Sequence, residues 1–403
     1  MTKAKLKGII IAAVMNRLHK ERVSACALLH ICGDAPRAAS GMIRALGSAS
    51  AVFELQEDDR LSLLGPSCRF RDRINEWERD SAEKELDRLA GLGFGFISFS
   101  EDCYPRLLKD CNDAPAGLYI RSSSPPESLF GGNPPISVVG TRDISPYGKE
   151  WCPRIVGAIA SAESPPAIVS GLAFGVDISA HMAALAYGIP TIAVIPVGID
   201  SIYPRSHSTA ADKICSSPGS AVITDYPPGT AIYAGNFLRR NRIIAGISRA
   251  TILIESKAKG GGTMTARLAA DYGRDVFALP GRIDDLRSAG CNLLIHEKIA
   301  EPIVSLAGLP EALGLGHWNR KRSPDLLEEV RGRFAGRLED GAMQDMLRIA
   351  DAVRRQRGIS LDELCVSLGM DYAAVSALAG LLESEGFIST DLLQRCAIEV
   401  KIS

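Results

Sequence analysis

Between Ala221 and Ala266 the chain reads AVITDYPPGTAIYAGNFLRRNRIIAGISRATILIESKAKGGGTMTA, and the chemistry this stretch suggests is anion binding. From Arg239 to Arg267 there are seven basic residues (Arg239, Arg240, Arg242, Arg249, Lys257, Lys259, Arg267) and one acid, Glu255. Phe237, Arg239, Arg240, Asn241 and Arg242 follow one another on a helical stretch. They offer guanidinium forks for phosphate oxygens and a ring face for a base. Further on, Gly260, Gly261 and Gly262 precede Thr263 and Thr265 at a helix start, which suggests a nest of backbone N–H groups for an anion. The order is not GxxxxGKS/T, so ATP hydrolysis is not implied.

Three earlier loops offer similar groups. VVGTRDISPYG (Val138 to Gly148) has Gly140 for close backbone approach, the Thr141 hydroxyl and the Arg142 guanidinium. It does not spell GxGxxG, so a nicotinamide or flavin dinucleotide lacks its usual seat. VSGLAFGVDISAHMAAL (Val169 to Leu185) leaves a strand at Ser170 and Gly171 and opens a helix at Gly175, whose first N–H groups suit a second anion. Asp177 is placed to cap this helix and His181, one turn on, to pair with it, and a structural histidine is favoured over a catalytic base. VGIDSIYPRSH brings Asp200, Tyr203, Arg205 and His207, and DYPPGT is stiffened by Pro227 and Pro228. None of these loops presents paired carboxylates, metal ligands or a nucleophile with its base, so the expected catalytic and metal residues are none, no cofactor is implied, and binding is favoured over catalysis.

The elements that must position these loops are short apolar or β-branched runs: Ile136–Val139, Ala167–Val169, Thr191–Val197, Ala221–Thr224, Thr251–Ile254 and Val276–Leu279. Between most of them lie helix-length segments such as Tyr147–Ala162 and Val176–Tyr187. Buried parallel strands read as continuous apolar runs, so the fold class is α/β, a doubly wound parallel sheet whose loops at the strand ends make the site. Before it, residues 20–60 read as short helices, Glu76–Leu92 as an amphipathic helix and Phe94–Phe99 as a strand. After Pro302 the pattern turns polar and broken. Met346–Arg357, Leu361–Leu368 and Tyr372–Glu385, followed by GFIST, have the lengths and turns of a winged-helix unit. The expected domains are 1–65 (helical), 70–305 (sheet, core 136–298), 306–340 (linker) and 341–403 (winged-helix-like).

At 403 residues, with 46% apolar and 23% charged residues, the chain is that of a globular protein of several domains, and no apolar run approaches the ~20 residues of a membrane span. A cytoplasmic address is expected. Ten cysteines occur singly, without a CxxC pair or a His/Cys spacing typical of zinc, and read as reduced buried thiols. The net charge of −1 is unevenly spread: residues 137–298 carry 16 bases against 13 acids, whereas 345–401 carry 6 against 9. The helix of this unit placed to read a groove, Tyr372–Glu385, has no basic residue, so the C-terminal unit is expected to contact protein or support a dimer.

Taken in order, SVVGTR…SPYG, SGLAFGVD..AH..AL, GID..YP, DYPPG, F..RNRIIAGIS, GGTMTA and GR.VFALPG closely resemble the motifs of the DNA-processing protein A family over roughly Cys103 to Ile299. The resemblance implies a Rossmann-like sheet flanked by a small N-terminal helical module of the SAM or helix-hairpin-helix kind. It further implies a homodimer that binds single-stranded DNA and loads the recombinase RecA during natural transformation. Carried over residue by residue, the DNA-binding positions are Arg142, Ser170, Gly171, Phe237, Arg239, Arg240, Asn241, Arg242, Gly261, Gly262 and Thr263. His207, Ser208 and Leu238 depart from the family pattern, and Cys32-Gly33-Asp34-Ala35 lacks the glycine-x-glycine turn of a helix-hairpin-helix. The alternative is a nucleotide-hydrolysing enzyme of the LOG or lysine-decarboxylase-like group. Aligning its GT loop on Gly262-Thr263 puts Ala266 where the catalytic acid should stand.

Overall fold

The computed structural model describes residues 3–66, 68–316, 326–356, 358–391 and 394–398. Nine strands form one sheet: β1 (Gly95–Ser98), β2 (Gly117–Arg121), β3 (Ile136–Val139), β4 (Ile168–Ser170), β5 (Thr191–Val194), β6 (Ala221–Thr224), β7 (Ala250–Leu253), β8 (Asp275–Ala278) and β9 (Glu301–Pro302). Their spatial order is β1-β2-β6-β5-β4-β3-β7-β8-β9. β6 through β9 in that order pair in parallel, and β1 and β2 add antiparallel at one end. The chain starts its parallel winding at β3, runs outward to β6, then returns to the other side of β3 with β7. That reversal makes the sheet doubly wound, with its switch point between β3 and β7. β3 to β7 are buried at every position, as runs such as ISVV, TIAV and ATIL require.

The six expected parallel strands are present, each within a few residues of its place. The GLYIR run of β2 and the two-residue β9 were not anticipated. Residues 20–60 differ in part: one helix, Lys3–Ile31, extends through the first third of that stretch, and the short helices Pro36–Leu46, Ala49–Glu54 and Glu57–Leu64 follow. They share the core of the sheet, with Leu28, Ile43, Val52, Ile74 and Leu89 buried in one cluster with Ile97 and Leu118. Polar anchors fix them there. Glu21 accepts hydrogen bonds from the Ala49 and Ser50 amides (2.7 and 3.0 Å) at a helix start, and Arg22 grips Glu101 through two bonds of 2.9 and 2.7 Å.

A second compact unit comprises residues 145–165 and 305–403. Its C-terminal part has helices Leu326–Phe334, Asp340–Arg355, Leu361–Leu368 and Tyr372–Ser384. A small antiparallel sheet accompanies them, β10 (Ile359–Ser360), β11 (Ile388–Thr390) and β12 (Arg395–Ile398), in the order β10-β12-β11. The stretch 306–340 was expected to be a linker. Part of it lies outside the described residues, and its end is the helix Leu326–Phe334, because Val330 and Phe334 find a buried place beside Ile349, Leu364 and Leu378. A Ser360–Glu363 capping box starts the third helix, and Gly369, with φ of +65°, ends it. No single helix among the described residues is long and apolar enough to cross a membrane.

Candidate nucleic-acid interface

At the switch point three loops touch through backbone. The Thr141 amide donates to the Glu255 carbonyl (2.6 Å), and the Val176 amide donates to the Thr141 carbonyl (3.1 Å). A Cβ on Gly175, whose φ is +76°, would fall 2.3 Å from the Thr141 oxygen, and one on Gly262 would fall 2.9 Å from the Gly140 Cα. Glycine is therefore required at these places for close approach. Beside this closed point lies an open pocket lined by Arg142, Gly171, Ala173, Phe174, Tyr203, Pro204 and Phe237.

The pocket carries a graded stack. The exposed Arg142 guanidinium lies 4.8 Å from the centroid of the Phe237 ring, and that ring meets Tyr203 edge to face at 5.4 Å. Phe174 stands half exposed and meets His207 edge to face at 4.7 Å, while His207 Nδ1 is held 2.8 Å from the Leu172 carbonyl. Asp200 accepts from the Gly229 amide at 3.0 Å and so ties the DYPPGT turn to the third loop. Ile232 and Tyr233 are exposed at the entry to helix Ala234–Ile247, and Arg205, Lys257 and Lys259 are exposed on neighbouring loops.

The expected DNA-binding residues divide into two groups. Arg142, Phe237, the half-buried Arg239 and Gly261 are accessible. Arg239 lies 5.8 Å from the Tyr226 ring. Gly171 lines the pocket, and the others are in the scaffold. Arg240 is 3% exposed, donates to the Val194 carbonyl (2.7 Å) and abuts Gly171, where any Cβ would strike its Nη1. Burial lowers its pKa to about 10 against the attraction of Asp177, whose own carboxyl burial pushes up. Arg242 is 5% exposed and is held by the buried Asp225 carboxylate and the Asp113 carbonyl. These two arginines, expected on DNA, sit in the scaffold: Arg242 is ion-paired with the buried Asp225, and Arg240 donates to the sheet backbone beside Asp177.

Four more of the expected positions are scaffold too. Ser170 is buried and donates to the Val138 carbonyl (2.6 Å), and Asn241 is buried. Gly262 is enclosed at the switch point. Thr263 is 2% exposed, with Oγ1 2.9 Å from both Ser256 Oγ and the Lys257 carbonyl. Its amide donates to Ser256 Oγ (3.2 Å), so part of the expected anion nest is already filled by the chain itself. Phe174, not singled out from the sequence, lines the pocket, and Arg287 pairs at 3.0 Å with Asp143, the residue after Arg142. The position of Phe174 between Gly171 and Gly175 in a strand-end loop was the available signal.

His181 is a buried structural residue, as favoured from the sequence, and does not pair with Asp177: its Nδ1 lies 2.7 Å from Thr191 Oγ1, and Asp177 accepts from the Ala173 amide. Burial, followed by the nearby charges of Arg240 and His207, pushes the His181 pKa down to about 3. An unfolded histidine titrates near 6.5, so between about pH 6.5 and 3 the unfolded chain binds a proton that the folded chain refuses. The stability present above pH 6.5 should be lost as pH falls, with a slope approaching about 1.4 kcal/mol per pH unit. The raised Asp177 carboxyl contributes with the opposite sign. Urea midpoints at pH 7 and pH 5 should therefore differ more in the parent chain than in His181→Asn, and equal differences would refute the assignment.

A sequence profile described as DNA recombination-mediator protein A matches residues 95–314. The DNA processing protein DprA of Streptococcus pneumoniae is 40% identical over 256 residues, covering 61% of this chain and 86% of that protein. Protein Smf of Synechocystis is 32% identical over 317 residues, covering 73% and 78%. The X-ray structure of DNA processing protein A from Streptococcus pneumoniae superposes with a TM-score of 0.57 at 31% identity, over 74% of this chain and 96% of that one.

Proposed function

Because the chain belongs to the DNA recombination-mediator protein A family, we propose that the Arg142–Phe237 pocket holds single-stranded DNA, largely without sequence preference. One observation carries this reading: an exposed guanidinium resting on a half-buried aromatic ring, in an open pocket at the carboxyl ends of parallel strands. The ring offers a face on which any base can stack, and the guanidinium and the exposed Arg205, Lys257 and Lys259 offer charge to a phosphate backbone. A duplex hides its bases, so the ring favours an unpaired strand. The same reading has the protein act without catalysis in the cytoplasm, as a homodimer, and hand the strand to RecA during DNA uptake. The family motifs support that extension. The C-terminal unit is read as a winged-helix fold that meets protein: Glu385 is engaged by Arg333 and Arg337 (2.7 and 2.9 Å), and helix Tyr372–Ser384 carries no base.

The nucleotide-hydrolysing alternative would need an acid after Gly262-Thr263, and Ala266 is buried there. Fluorescence anisotropy separates the readings. A labelled ~20-residue oligothymidylate should bind far more tightly than thymidine monophosphate or a duplex of equal length. Its log K should fall with log salt at about −0.7 per phosphate contact. Equal affinity for the mononucleotide and the strand would favour a small-ligand receptor and refute the proposal.

A further inference from the structure

Away from the pocket, four side chains from three elements converge on one point. Cys26 and His30 lie one turn apart on helix Lys3–Ile31, Glu85 comes from helix Glu76–Gly91, and Tyr119 from β2. The spacing of four puts the thiol and imidazole on the same helix face. Glu85 Oε1 is 3.5 Å from Cys26 Sγ, 3.1 Å from His30 Nε2 and 2.7 Å from the Tyr119 hydroxyl. The three atoms capable of ligation all lie within 4.8 Å of one another.

Two of the three ligand separations are close to the edges of a metal tetrahedron. With Zn–N and Zn–O near 2.0 Å and Zn–S near 2.3 Å, the ligand-to-ligand edges come to about 3.3 Å for N–O and about 3.5 Å for S–O. Imidazole and carboxylate at 3.1 Å, and thiol and carboxylate at 3.5 Å, already have nearly that spacing. Charge points the same way. Cys26 is fully buried, and Glu85 has Cys26, His30 and Tyr119 as its hydrogen-bond partners, with no lysine or arginine among them. A thiolate and a carboxylate around a dication with a neutral imidazole sum to zero. The partly exposed side chains of His30 and Glu85 (27% and 16%) leave an entry path. A thiolate–imidazole–carboxylate set suits zinc rather than magnesium or calcium.

We propose that Cys26, His30 and Glu85 form a structural Zn(II) site, its fourth side closed by the buried Tyr119 hydroxyl, which lies 3.3 Å from Cys26 Sγ and 3.1 Å from His30 Nε2 and orients the carboxylate. Binding forms a Zn–S bond and releases the Cys26 thiol proton to water. The ion then clamps the N-terminal helix to helix Glu76–Gly91 next to β2. The sequence expectation of no metal rested on linear spacing, which cannot register a ligand 55 residues from its partner.

The test uses the full chain, stripped with chelator and titrated with Co(II) and then Zn(II). One Co(II) per chain should bind with a thiolate-to-cobalt charge-transfer band that Zn(II) abolishes and Cys26→Ser lacks, and Zn(II) should raise the melting temperature of the parent chain only. Tyr119→Phe should weaken Zn(II) binding by about 10-fold or more, the usual effect of losing a hydrogen bond to a metal ligand. No band, a band that survives Cys26→Ser, or a melting temperature indifferent to Zn(II) would overturn the proposal. Should Cys26→Ser fail to fold, His30→Gln decides the matter, because unaltered Zn(II) affinity in that variant is equally fatal.

Discussion

Replacing Arg142 and Phe237 together by alanine should weaken binding of a ~20-residue oligothymidylate by roughly 100-fold at about 0.1 M salt, with little change in thermal stability. Stacking on an aromatic side chain is worth about 1–3 kcal/mol per base, so Phe237→Ala alone should cost on the order of 10-fold or more. Arg142 is exposed, so its removal takes away a phosphate contact without opening a cavity, and the salt slope should shrink by about 0.7. The two side chains touch across 4.8 Å, and the double variant should therefore lose somewhat less than the product of the single losses. Phe237 also packs on Tyr203, so Phe237→Leu, which keeps bulk but not the π-face, separates stacking from support. Anisotropy titrations and a circular dichroism melt report the two quantities independently. Full affinity in the double variant would remove the pocket from the reading.

Much of the sheet was legible because a strand buried on both sides must be apolar throughout, and the runs ISVV, TIAV and ATIL could not easily be anything else. β2 escaped because GLYIR sits between proline-rich segments and pairs antiparallel with β1 and β6, a partnership no local pattern announces. In the site, residue types were legible and burial was not. Successive residues of a helix turn by about 100°, so Arg239, Arg240 and Arg242 cannot all face one ligand. Which of them faces inward is decided by Asp177, in the first turn of helix Val176–Ala186, and by Asp225, just after β6. The same limit hid the Cys26–Glu85 contact and left Phe174 unremarked. Where the chain needed close backbone approach, at Gly140, Gly175 and Gly262, the sequence was a better guide, since few other residues fit such points.

The division between contact and scaffold can itself be measured at Arg242. Its guanidinium joins Asp225 to the Asp113 carbonyl, and the Asp113 carboxylate in turn accepts from the Tyr272 hydroxyl at 2.8 Å. Arg242→Ala would leave the Asp225 carboxylate buried without its cation, a loss that typically costs about 3–5 kcal/mol. The urea midpoint should fall accordingly, while the fraction that remains folded should bind oligothymidylate within about 3-fold of the parent chain. Adding Asp225→Ala should restore part of the stability, because a pair removed as a whole leaves no uncompensated charge behind. A DNA-contacting arginine would show the reverse pattern: an unchanged midpoint, a sharp loss of affinity and no rescue by the second substitution. If Arg242→Ala behaves in that way, Arg242 leaves its ion pair to meet the strand, and the boundary between scaffold and interface has to be redrawn through helix Ala234–Ile247.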